Sequence, residues 1–370
     1  MFIVKKILLV INIFIALALL NTYIPYHIFS ATLPHITLLG YAYPFFLIAN
    51  ILFIILWFII GSRRYVLLSI AVIAIQPNFI TRLFNISSFD KEDDKQITLL
   101  TYNVESFAHD TDYLEDNKDK LAKKQENMDS IISVVSKSKA DIVIFQDYVA
   151  SIKDSTGFHY RMTNVLKYRY YYYFYKGVSP IISNCVIYSK YHIRNASQIL
   201  SNATYNSTMV WADIATPQGD IRVYNLHLVS YCLDKENKEA YSKIFHGNIE
   251  DTSASKSIIK KLVIADTERK YQVDSILQKL DSTPIPYIVA GDFNSIPFSY
   301  IYKQFSQTLS DSFTDKGNGW GRTYNGIFPA YRIDYVLYQK NRFKIHKYKS
   351  PSLDYSDHYP ITVSFSIKEQ

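Results

Sequence analysis

Three long apolar runs occupy the first part of the chain. They extend from Ile7 to Ile24, from Leu38 to Ile60 and from Tyr65 to Ile80. A helix of about 20 apolar residues can cross a bilayer. We therefore predict a membrane anchor with about three transmembrane helices over residues 1–83. The first run also fits a cleaved signal peptide, but no clear small-x-small site follows it and two further apolar runs come next.

Basic residues lie at the ends of these runs and predict their orientation. The connection over residues 21–37 has no Lys or Arg. Because basic residues remain on the cytoplasmic side, three crossings place everything after the anchor outside the cytoplasm. The third run carries Gln76 and Pro77 near its end, and if it does not cross, the large domain faces the cytoplasm. The orienting residues are Lys5, Lys6, Arg63 and Arg64.

After a polar, acidic tether over residues 84–95, the pattern changes to short β-branched runs and helical periodicities. Helical spacing covers 118–136 and 256–280. Strands interleaved with helices are typical of a layered α/β domain, which we predict over residues 96–370. The predicted strands are 97–103, 141–145, 185–188, 209–214, 221–228, 287–290, 333–338 and 361–367.

Charge and cysteine content narrow the choice of partner only a little. The chain of 370 residues has a net charge of +7, which suits nucleic acid or anionic lipid, or equally a solvated Lys-rich surface. The Lys-rich segment 235–261 fits a nucleic-acid surface and an exposed amphipathic helix about equally. The two cysteines, Cys185 and Cys232, lack metal-type spacing and neither require nor exclude a disulfide.

Polar side chains stand at or near the ends of six predicted strands. An Asx residue after one strand is usually a turn residue, and a lone His in a strand is usually part of the core. Asp334 lies between Ile333 and Tyr335, and a buried carboxylate needs a partner. Six such segments in one domain indicate a shared site. Their polar residues are Asn103, Glu105, Gln146, Asp147, Asn225, His227, Asp292, Asn294, Asp334, Asp357 and His358.

These residue types suit one kind of chemistry. Carboxylate and carboxamide oxygens are preferred ligands of Mg²⁺, and His and Asn side chains suit an anionic oxygen. Together they suit metal-assisted attack on a phosphate ester. The sequence has no G-x-S-x-G, and neither cysteine sits at a strand end beside a base, so a serine or cysteine nucleophile is not indicated.

The motifs GDFNS (291–295), RIDYVL (332–337) and SDHYP (356–360) occur in an order that resembles the endonuclease/exonuclease/phosphatase superfamily, the deoxyribonuclease-I-like fold. The resemblance covers roughly residues 96–367. It implies a four-layered α/β sandwich of two packed mixed β-sheets flanked by helices, preceded here by transmembrane helices. Such a chain resembles a bacterial, membrane-anchored member, which would be a multi-pass protein of the inner membrane with an extracytoplasmic catalytic domain.

The resemblance also implies a divalent-metal site for Mg²⁺ or Mn²⁺. Asn103 and Asp147 would help to bind the metal, with Asp357 on the same side and Glu105 supporting the cluster. The family usually has Glu where this chain has Asp147, which is one methylene shorter. The shorter side chain predicts either a contact with the metal through a water or a strand that lies closer to the metal.

The remaining residues of the resemblance imply hydrolysis by an activated water. Asp292 would orient or deprotonate that water, and Asn294 would help to hold the water and a phosphate oxygen. His227 and His358 would donate to the phosphate as charge builds. Asp334 would fix the tautomer and orientation of a histidine, which we expect to be His358.

The sequence thus predicts a membrane-anchored, metal-dependent phosphodiesterase that acts on nucleic acid or a lipid headgroup. No protein partner is implied. An inositol-phosphatase type is disfavoured because Tyr331 to Asp334 replaces its Cys-Asp-Arg run. One alternative is a non-catalytic binding module that retains the fold, which Asp147 slightly favours. Another is a multi-pass membrane protein with a regulatory soluble part, which the lack of charges inside the apolar runs disfavours.

Overall fold

The computed structural model describes residues 2–29, 34–88, 90, 96–108, 118–173, 181–202, 207–230, 252–325 and 331–369. The chain forms two compact units. We call residues 1–84 with 295–304 the apolar unit, and residues 85–294 with 305–370 the catalytic unit.

The helices and strands are numbered here in chain order. The described α-helices are α1 Phe2–Asn21, α2 Ile24–His27, α3 Tyr43–Ile59, α4 Val66–Ala74, α5 Asn78–Leu83, α6 Lys118–Ser138, α7 Phe158–Tyr160, α8 Thr252–Asp281, α9 Tyr300–Ser306 and α10 Ser312–Lys316. The described strands are β1 Phe84–Asn85, β2 Ile97–Asn103, β3 Ile142–Ser151, β4 Tyr170–Tyr173, β5 Ile181–Ser189, β6 Ile193–Asn202, β7 Ser207–Thr216, β8 Gly219–His227, β9 Tyr287–Asp292, β10 Ser310–Asp311, β11 Gly319–Trp320, β12 Asp334–Tyr338, β13 Phe343–Lys349 and β14 Ile361–Ile367.

The apolar unit contains two stretches that are long and apolar enough to cross a membrane. Within the described residues these are Phe2–His27 and Ile36–Ile59. Many of their apolar side chains are exposed; Phe14 and Ile59, for example, are 68% and 78% exposed. A large exposed apolar surface of this kind is unusual for a soluble protein and marks a membrane or partner surface.

The third apolar run does not form a helix of spanning length. Its helix α4 has nine residues, which is about 14 Å of helix against about 30 Å of hydrocarbon. Pro77 lacks a backbone N–H, so the helical ladder is interrupted before α5 begins at Asn78. In the described part of the chain, two helices are long enough to span a membrane, whereas about three were predicted. The predicted extracytoplasmic placement required three crossings, and it therefore loses its support.

Polar contacts hold the helices of the apolar unit together. Asn12 of α1 donates to the Ser69 hydroxyl at 2.9 Å and accepts from the indole N–H of Trp57 at 2.8 Å. Lys5 Nζ donates to the Ile60 carbonyl oxygen at 3.3 Å, so the start of α1 lies beside the end of α3. These two helices are therefore antiparallel, and both basic clusters lie at the same end of the pair.

The catalytic unit contains two six-stranded sheets. Their strand orders are β10-β12-β9-β8-β7-β6 and β13-β14-β2-β3-β5-β4. In each sheet one central pair is parallel, β8 with β9 and β2 with β3, and the other pairs are antiparallel. Both sheets are mixed, as predicted.

The two sheets pack face to face through alternate residues of their strands. Ile144 and Val363 of one sheet share a buried apolar cluster with Val223 and Ala290 of the other. Since side chains alternate across a strand, the residues between them lie on the outer faces of the two sheets. Two long helices pack on these outer faces.

Each outer face carries one of these helices. Ile131 and Val135 of α6 pack with Phe145 and Val186. On the other sheet, Tyr224 shares a hydrogen bond of 2.6 Å with Thr283, directly after α8. The predicted four-layered sandwich of two mixed sheets between helices is thus confirmed.

The described residues of the predicted tether pack along the catalytic unit. Asn85 Nδ2 donates to the Phe313 and Thr314 carbonyls at 2.9 Å each. Asp90 Oδ1 accepts from Lys316 Nζ at 2.7 Å. Residues 91–95 lie outside the described residues, as do 235–251 of the Lys-rich segment and Cys232. The other cysteine, Cys185, is buried, and its thiol donates to Asn184 Oδ1 at 3.7 Å.

Candidate active site

The strand registers bring the predicted polar residues to one edge of the sandwich. In the parallel pairs, His227 lies opposite Asp292, and Asn103 lies opposite Gln146. The strands β12 and β14 run antiparallel to their neighbours, so their first residues reach the same edge, and Asp334 lies opposite Asp292. The carboxyl ends of two parallel pairs and the starts of two antiparallel strands therefore meet.

Asp292 stands at the centre of this edge and is 1% exposed. Its Oδ2 accepts from Asn103 Nδ2 at 2.9 Å and lies 3.7 Å from the Nε2 atoms of both His227 and His358. Polar groups from separate strands or loops thus converge on one buried carboxylate, which burial would otherwise disfavour as an anion.

Gly291 allows β9 to run close to β8 just before Asp292. Its φ is +129°, and a Cβ there would lie 2.1 Å from the Leu226 carbonyl oxygen. Only glycine fits such a position. Gly291 therefore lies where two strand backbones approach each other closely.

Asn294 adopts a left-handed conformation, with φ 47°, which Asn tolerates better than most residues. Its backbone N–H donates to Asp292 Oδ1 at 2.8 Å. Its side-chain amide donates to Leu228 O at 3.0 Å and to Asp292 Oδ2 at 3.2 Å. Asn294 therefore holds the Asp292 carboxylate in place through both its backbone and its side chain.

His358 is oriented by a buried carboxylate. Its Nδ1 lies 2.9 Å from Asp334 Oδ2, and its Nε2 lies 3.8 Å from Asp357 Oδ1. Asp334, Asp292 and His358 each offer a ligand atom, and these atoms lie within 4.8 Å of one another, which is close enough to hold a metal ion.

The charge of this group follows from its surroundings. Burial disfavours the imidazolium, but three carboxylates stabilise it, and the pKa of His358 lies well above its usual 6.5. Burial raises the pKa of Asp334, while His358 acts in the opposite direction. A protonated His358 donates through Nδ1 to Asp334 and presents the Nε2 proton to the site. The carboxylates that stabilise it belong to Asp334, Asp292 and Asp357.

Two neighbours of this group are not indicated by the sequence patterns. The hydroxyl of Thr323 accepts from the backbone N–H groups of Ile333 and Asp334 at 3.0 and 3.1 Å. The ring of Tyr324 lies 5.1 Å from the His358 ring, centroid to centroid. Both come from a segment with no strand-end signal, which explains why a search of strand ends misses them.

His227 is held from the other side by Asn184, another residue that the strand-end patterns do not indicate. His227 Nδ1 lies 3.0 Å from Asn184 Oδ1 and 3.5 Å from Asp147 Oδ1. Asn184 lies in β5 directly before the predicted strand 185–188 and has a φ of 75°. Polar residues at the start of that strand, and not only at its end, are the signal that could have identified it.

A β-bulge brings Asp147 to His227. Phe145 pairs with Val186 and Tyr148 with Asn184, so Gln146 and Asp147 together oppose Cys185. Asp147 has a φ of 47°. A bulge of this kind re-aims a side chain, and it allows the short Asp147 carboxylate to face the site beside a histidine.

Gln146 and Asn225 form hydrogen bonds that join the two sheets next to the site. Gln146 Nε2 donates to Asn225 Oδ1 at 2.7 Å, and Asn225 Nδ2 donates to the carbonyls of Phe145 and Val186 at 2.9 and 3.0 Å. Both side chains are fully buried. Their contacts fix the positions of β3, β5 and β8.

A cluster of oxygen-bearing side chains forms the remaining corner. The Glu105 backbone N–H donates to Asn103 Oδ1 at 3.0 Å, and the Asp357 backbone N–H donates to Glu105 Oε2 at 3.2 Å. Ser356 Oγ donates to the Asn103 carbonyl at 2.8 Å. Three side chains with hard oxygen donors, those of Asn103, Glu105 and Asp357, therefore meet. Such a donor set fits Mg²⁺ or Mn²⁺.

All nine predicted site residues belong to one connected arrangement. They are Asn103, Glu105, Asp147, His227, Asp292, Asn294, Asp334, Asp357 and His358. It offers a buried carboxylate that can take a proton, two imidazoles directed at that carboxylate, and an oxygen-rich corner for a cation. These are the parts needed to activate a water and stabilise an anionic transition state.

Comparison with known families gives two matches. The model of the endonuclease/exonuclease/phosphatase family matches residues 100–358, which is more than half of the chain. A model described as a domain of unknown function matches residues 5–83. No curated protein matches the chain.

Several solved structures are similar to the chain. The human Nocturnin catalytic domain is 16% identical over 75% of this chain and 96% of its own, with a TM-score of 0.48. An endonuclease/exonuclease/phosphatase family protein from Bacteroides thetaiotaomicron is 16% identical over 75% and 100%, with a TM-score of 0.48. A mannosyl-6-phosphatase from the same species is 17% identical over 73% and 99%, with a TM-score of 0.47.

Proposed function

The chain belongs to the endonuclease/exonuclease/phosphatase family, a family of phosphoester hydrolases, and we propose that it is a membrane-anchored, divalent-metal-dependent phosphodiesterase. The observation that carries this proposal is the convergence of Asn103, His227, His358 and Asn294 on the buried carboxylate of Asp292. A structural carboxylate would need fewer partners, and two imidazoles directed at the same oxygen suit proton transfer.

Asp292 acts as the base in this proposal. Asn103 and Asn294 hold its carboxylate by hydrogen bonds of 2.9 and 3.2 Å to Oδ2. A water beside this carboxylate would lose its proton to Asp292 as it attacks phosphorus. Asn294 helps by fixing the base, in addition to its predicted contact with the water and a phosphate oxygen.

The two histidines stabilise the phosphate in this proposal. His358 keeps a proton on Nε2 because Asp334 holds the opposite nitrogen at 2.9 Å. His227 Nδ1 lies 3.0 Å from the acceptor Asn184 Oδ1, so the Nε2 that faces the same space donates there as part of the imidazolium. Donors fixed before the reaction are worth about 3–4 kcal/mol each in comparable sites.

The metal is assigned to the oxygen-rich corner of Asn103, Glu105 and Asp357, with Asp147 nearby on the His227 side. When bound, Mg²⁺ or Mn²⁺ would supply positive charge to the phosphate oxygens. The group of Asp292, Asp334 and His358 is an alternative place for a cation. We favour the oxygen corner because the Asp334–His358 hydrogen bond already uses two ligand atoms of that group.

The structure gives no support to a non-catalytic binding module, although the sequence left this alternative open. Its only support is the Glu-to-Asp replacement at Asp147. The bulge in β3 compensates for the shorter side chain by turning Asp147 into the site, 3.5 Å from His227. A site that had lost its catalytic activity would be expected to lose some of these polar contacts, whereas here every polar residue of the site keeps a partner.

The substrate class is tested with a panel of compounds. The full-length protein in detergent would be incubated with Mg²⁺ or Mn²⁺ and single- and double-stranded DNA, RNA, sphingomyelin, bis(p-nitrophenyl) phosphate and p-nitrophenyl phosphate. We expect turnover of a diester that is lost in EDTA and restored by the metal. Turnover of the monoester alone contradicts a phosphodiesterase, and no turnover of any phosphoester contradicts the proposed function.

For the anchor, we infer a hairpin of two helices, each of which crosses a bacterial inner membrane. The antiparallel pair α1 and α3 has Lys5, Lys6, Arg63 and Arg64 at one end, so the positive-inside rule places the start of α1 and the end of α3 in the cytoplasm. The catalytic unit then faces the cytoplasm and meets cytoplasmic nucleic acid or headgroups of the inner leaflet. Protease added to intact spheroplasts should leave the catalytic unit uncut, and its digestion would restore the extracytoplasmic placement.

A further inference from the structure

A cavity lies within the catalytic unit, on the outer face of the sheet that contains β2, β13 and β14, beside α6. Its volume is about 710 Å³, within the range of roughly 300–1,000 Å³ that is usual for small-molecule sites. Its described lining includes none of the nine predicted site residues. The proposed hydrolysis therefore does not account for this cavity.

The floor of the cavity is polar sheet surface that α6 does not cover. The apolar side chains of α6 pack with residues of β2, β3 and β5, such as Leu100 and Val143. On β14, Val363 belongs to the cluster between the sheets, so Thr362 and Ser364 point to the outer face. Both of these hydroxyl residues line the cavity. The floor thus offers hydrogen-bonding groups and not an apolar surface for a further helix.

Four lysines line the cavity, two from each of two elements. Lys137 belongs to the last turn of α6 and Lys139 follows that helix, whereas Lys347 and Lys349 belong to β13. The described lining contains no carboxylate. A concave surface with four positive charges and no negative charge attracts anions.

Three of these lysines also lack an acidic partner elsewhere. Within the described residues, no ion pair involves Lys137, Lys139 or Lys349. Lys344, on the same strand as Lys349, does have such a partner, because its Nζ lies 3.4 Å from Asp90 Oδ2. The ammonium groups that line the cavity are therefore available to an anion from outside the chain.

Ordinary structural roles explain these lysines one at a time but not together. A cation in the last turn of a helix, such as Lys137, is favoured by the helix dipole. Lysines on an edge strand such as β13 oppose aggregation through that edge. Neither effect requires the two pairs of lysines to line one cavity together with hydroxyl groups. Their convergence is the feature that points to a ligand.

The lining also contains larger apolar and aromatic side chains. Those of Val134, Leu353 and Tyr355 line the same cavity as the lysines. Small-molecule sites usually combine such surfaces with a few polar groups that fix the orientation of the ligand. A ligand with an organic part and several negative charges matches both kinds of surface.

We propose that this cavity binds a small organic polyphosphate, a molecule with at least two phosphate groups, at a site separate from the active site. The lysine ammonium groups pair with the phosphate oxygens, and the hydroxyls of the sheet floor donate hydrogen bonds to them. The apolar side chains contact the organic part. Binding there requires neither the divalent metal nor hydrolysis.

The test titrates ATP and inositol trisphosphate into the full-length protein in detergent, with EDTA present. Isothermal titration compares Lys139→Gln/Lys349→Gln with the control Lys167→Gln/Lys340→Gln. Both pairs remove two exposed lysines, and Lys167 shares the left-handed backbone of Lys139, with a φ of 63° against 53°. We expect Kd to rise about tenfold or more in the first pair only, because charge-assisted hydrogen bonds are lost. Lys139→Arg/Lys349→Arg, which keeps both charges, should bind like the wild type.

His358→Asn shows whether the ligand enters the active site instead. Tyr355 and Pro360 line the cavity on either side of the segment that carries His358, and this variant should leave Kd unchanged. Tighter binding of ATP identifies a nucleotide as the ligand, and tighter binding of inositol trisphosphate identifies a phosphorylated polyol. The proposal is overturned if neither compound binds, if both lysine pairs weaken binding equally, or if His358→Asn alone weakens it. Equal melting temperatures of the two double variants without ligand show that both are folded.

Discussion

At the scale of single residues, the side chains of the site owe their orientation to partners on other strands. His358 is held by Asp334 at 2.9 Å, and His227 by Asn184 at 3.0 Å. The partner selects which ring nitrogen faces the site. The sequence motifs identify Asp334 because it interrupts an apolar strand. They do not single out Asn184, whose role depends on a left-handed backbone in β5.

Replacing Asp334 by Asn tests the orienting role. A carboxamide at this position lacks the negative charge that keeps His358 protonated, and it is a weaker partner for Nδ1. We expect kcat to fall about 10–100-fold with little change in the melting temperature. Asp354→Asn is the control, because Asp354 is an exposed carboxylate that accepts from Asn325. Equal rates in the two variants would show that Asp334 does not orient the histidine.

The metal position can be tested by comparing Glu105→Gln with His358→Asn. If the cation is held in the oxygen-rich corner, Glu105→Gln should weaken Mn²⁺ binding about tenfold or more, whereas His358→Asn should leave it nearly unchanged. Isothermal titration of Mn²⁺ into the full-length protein measures both. The reverse order of effects would move the metal to the group of Asp292, Asp334 and His358.

At the scale of elements, the site depends on two local departures from regular strands. The bulge in β3 turns Asp147 inward, and the close approach at Gly291 brings β9 against β8. The motif GDFNS includes Gly291 but does not indicate its neighbour, because the approach of Leu226 is a tertiary contact. The bulge likewise depends on pairing with β5.

Gly291→Ala should disrupt the pairing of β8 with β9. The added Cβ would lie 2.1 Å from the Leu226 carbonyl oxygen, and a positive φ adds roughly 1–3 kcal/mol of strain. We expect a clearly lower melting temperature and loss of hydrolysis. Gly319→Ala separates the two causes, because its φ is also positive, at +85°, but no atom lies within 4 Å of its Cβ position. Similar losses in both variants would mean that strain alone, and not the contact with β8, explains the effect.

The tether should contribute a pH-dependent part of the stability through Asp90. The Lys316 ammonium, with His346 and Lys344, lowers the pKa of Asp90 from 3.8 to about 2. A lowered pKa in the folded state contributes to the free energy of unfolding. This contribution is complete above about pH 4 and is lost as the pH falls toward 2. Wild type should therefore melt above Asp90→Asn at pH 6, with a difference that shrinks below pH 4. A constant difference for Asp90→Asn would exclude the ion pair as its cause.

At the scale of the whole molecule, the central strands were predictable and the edge strands were not. The predicted strand 361–367 coincides with β14, and 97–103 coincides with β2. The strands without a prediction include β4, β6, β10 and β13, and each of these lies at the edge of a sheet. Edge strands carry polar side chains and have one neighbour only, so their sequences lack the apolar runs that mark a buried strand.

The apolar unit shows the same limit of sequence patterns. Hydropathy correctly indicates the two long apolar stretches. It overestimates the helix length of the third apolar run, in which α4 has only nine residues. It gives no sign that residues 295–304 belong to this unit, because Phe298 and Ile296 resemble ordinary core residues of the following domain. Only their packing against Tyr43 and Phe79 reveals the assignment.

The proposed mechanism depends on the activation of a water by Asp292 for attack at phosphorus. The most direct measurement is hydrolysis of bis(p-nitrophenyl) phosphate in ¹⁸O-labelled water by wild-type protein and by Asp292→Asn, with Mn²⁺ present. One ¹⁸O atom should enter the p-nitrophenyl phosphate product of the wild type, and its rate of appearance should fall by a factor of about 1,000 or more in Asp292→Asn. Wild-type rates in Asp292→Asn, or ¹⁸O in the p-nitrophenol instead of the phosphate, would contradict the claim.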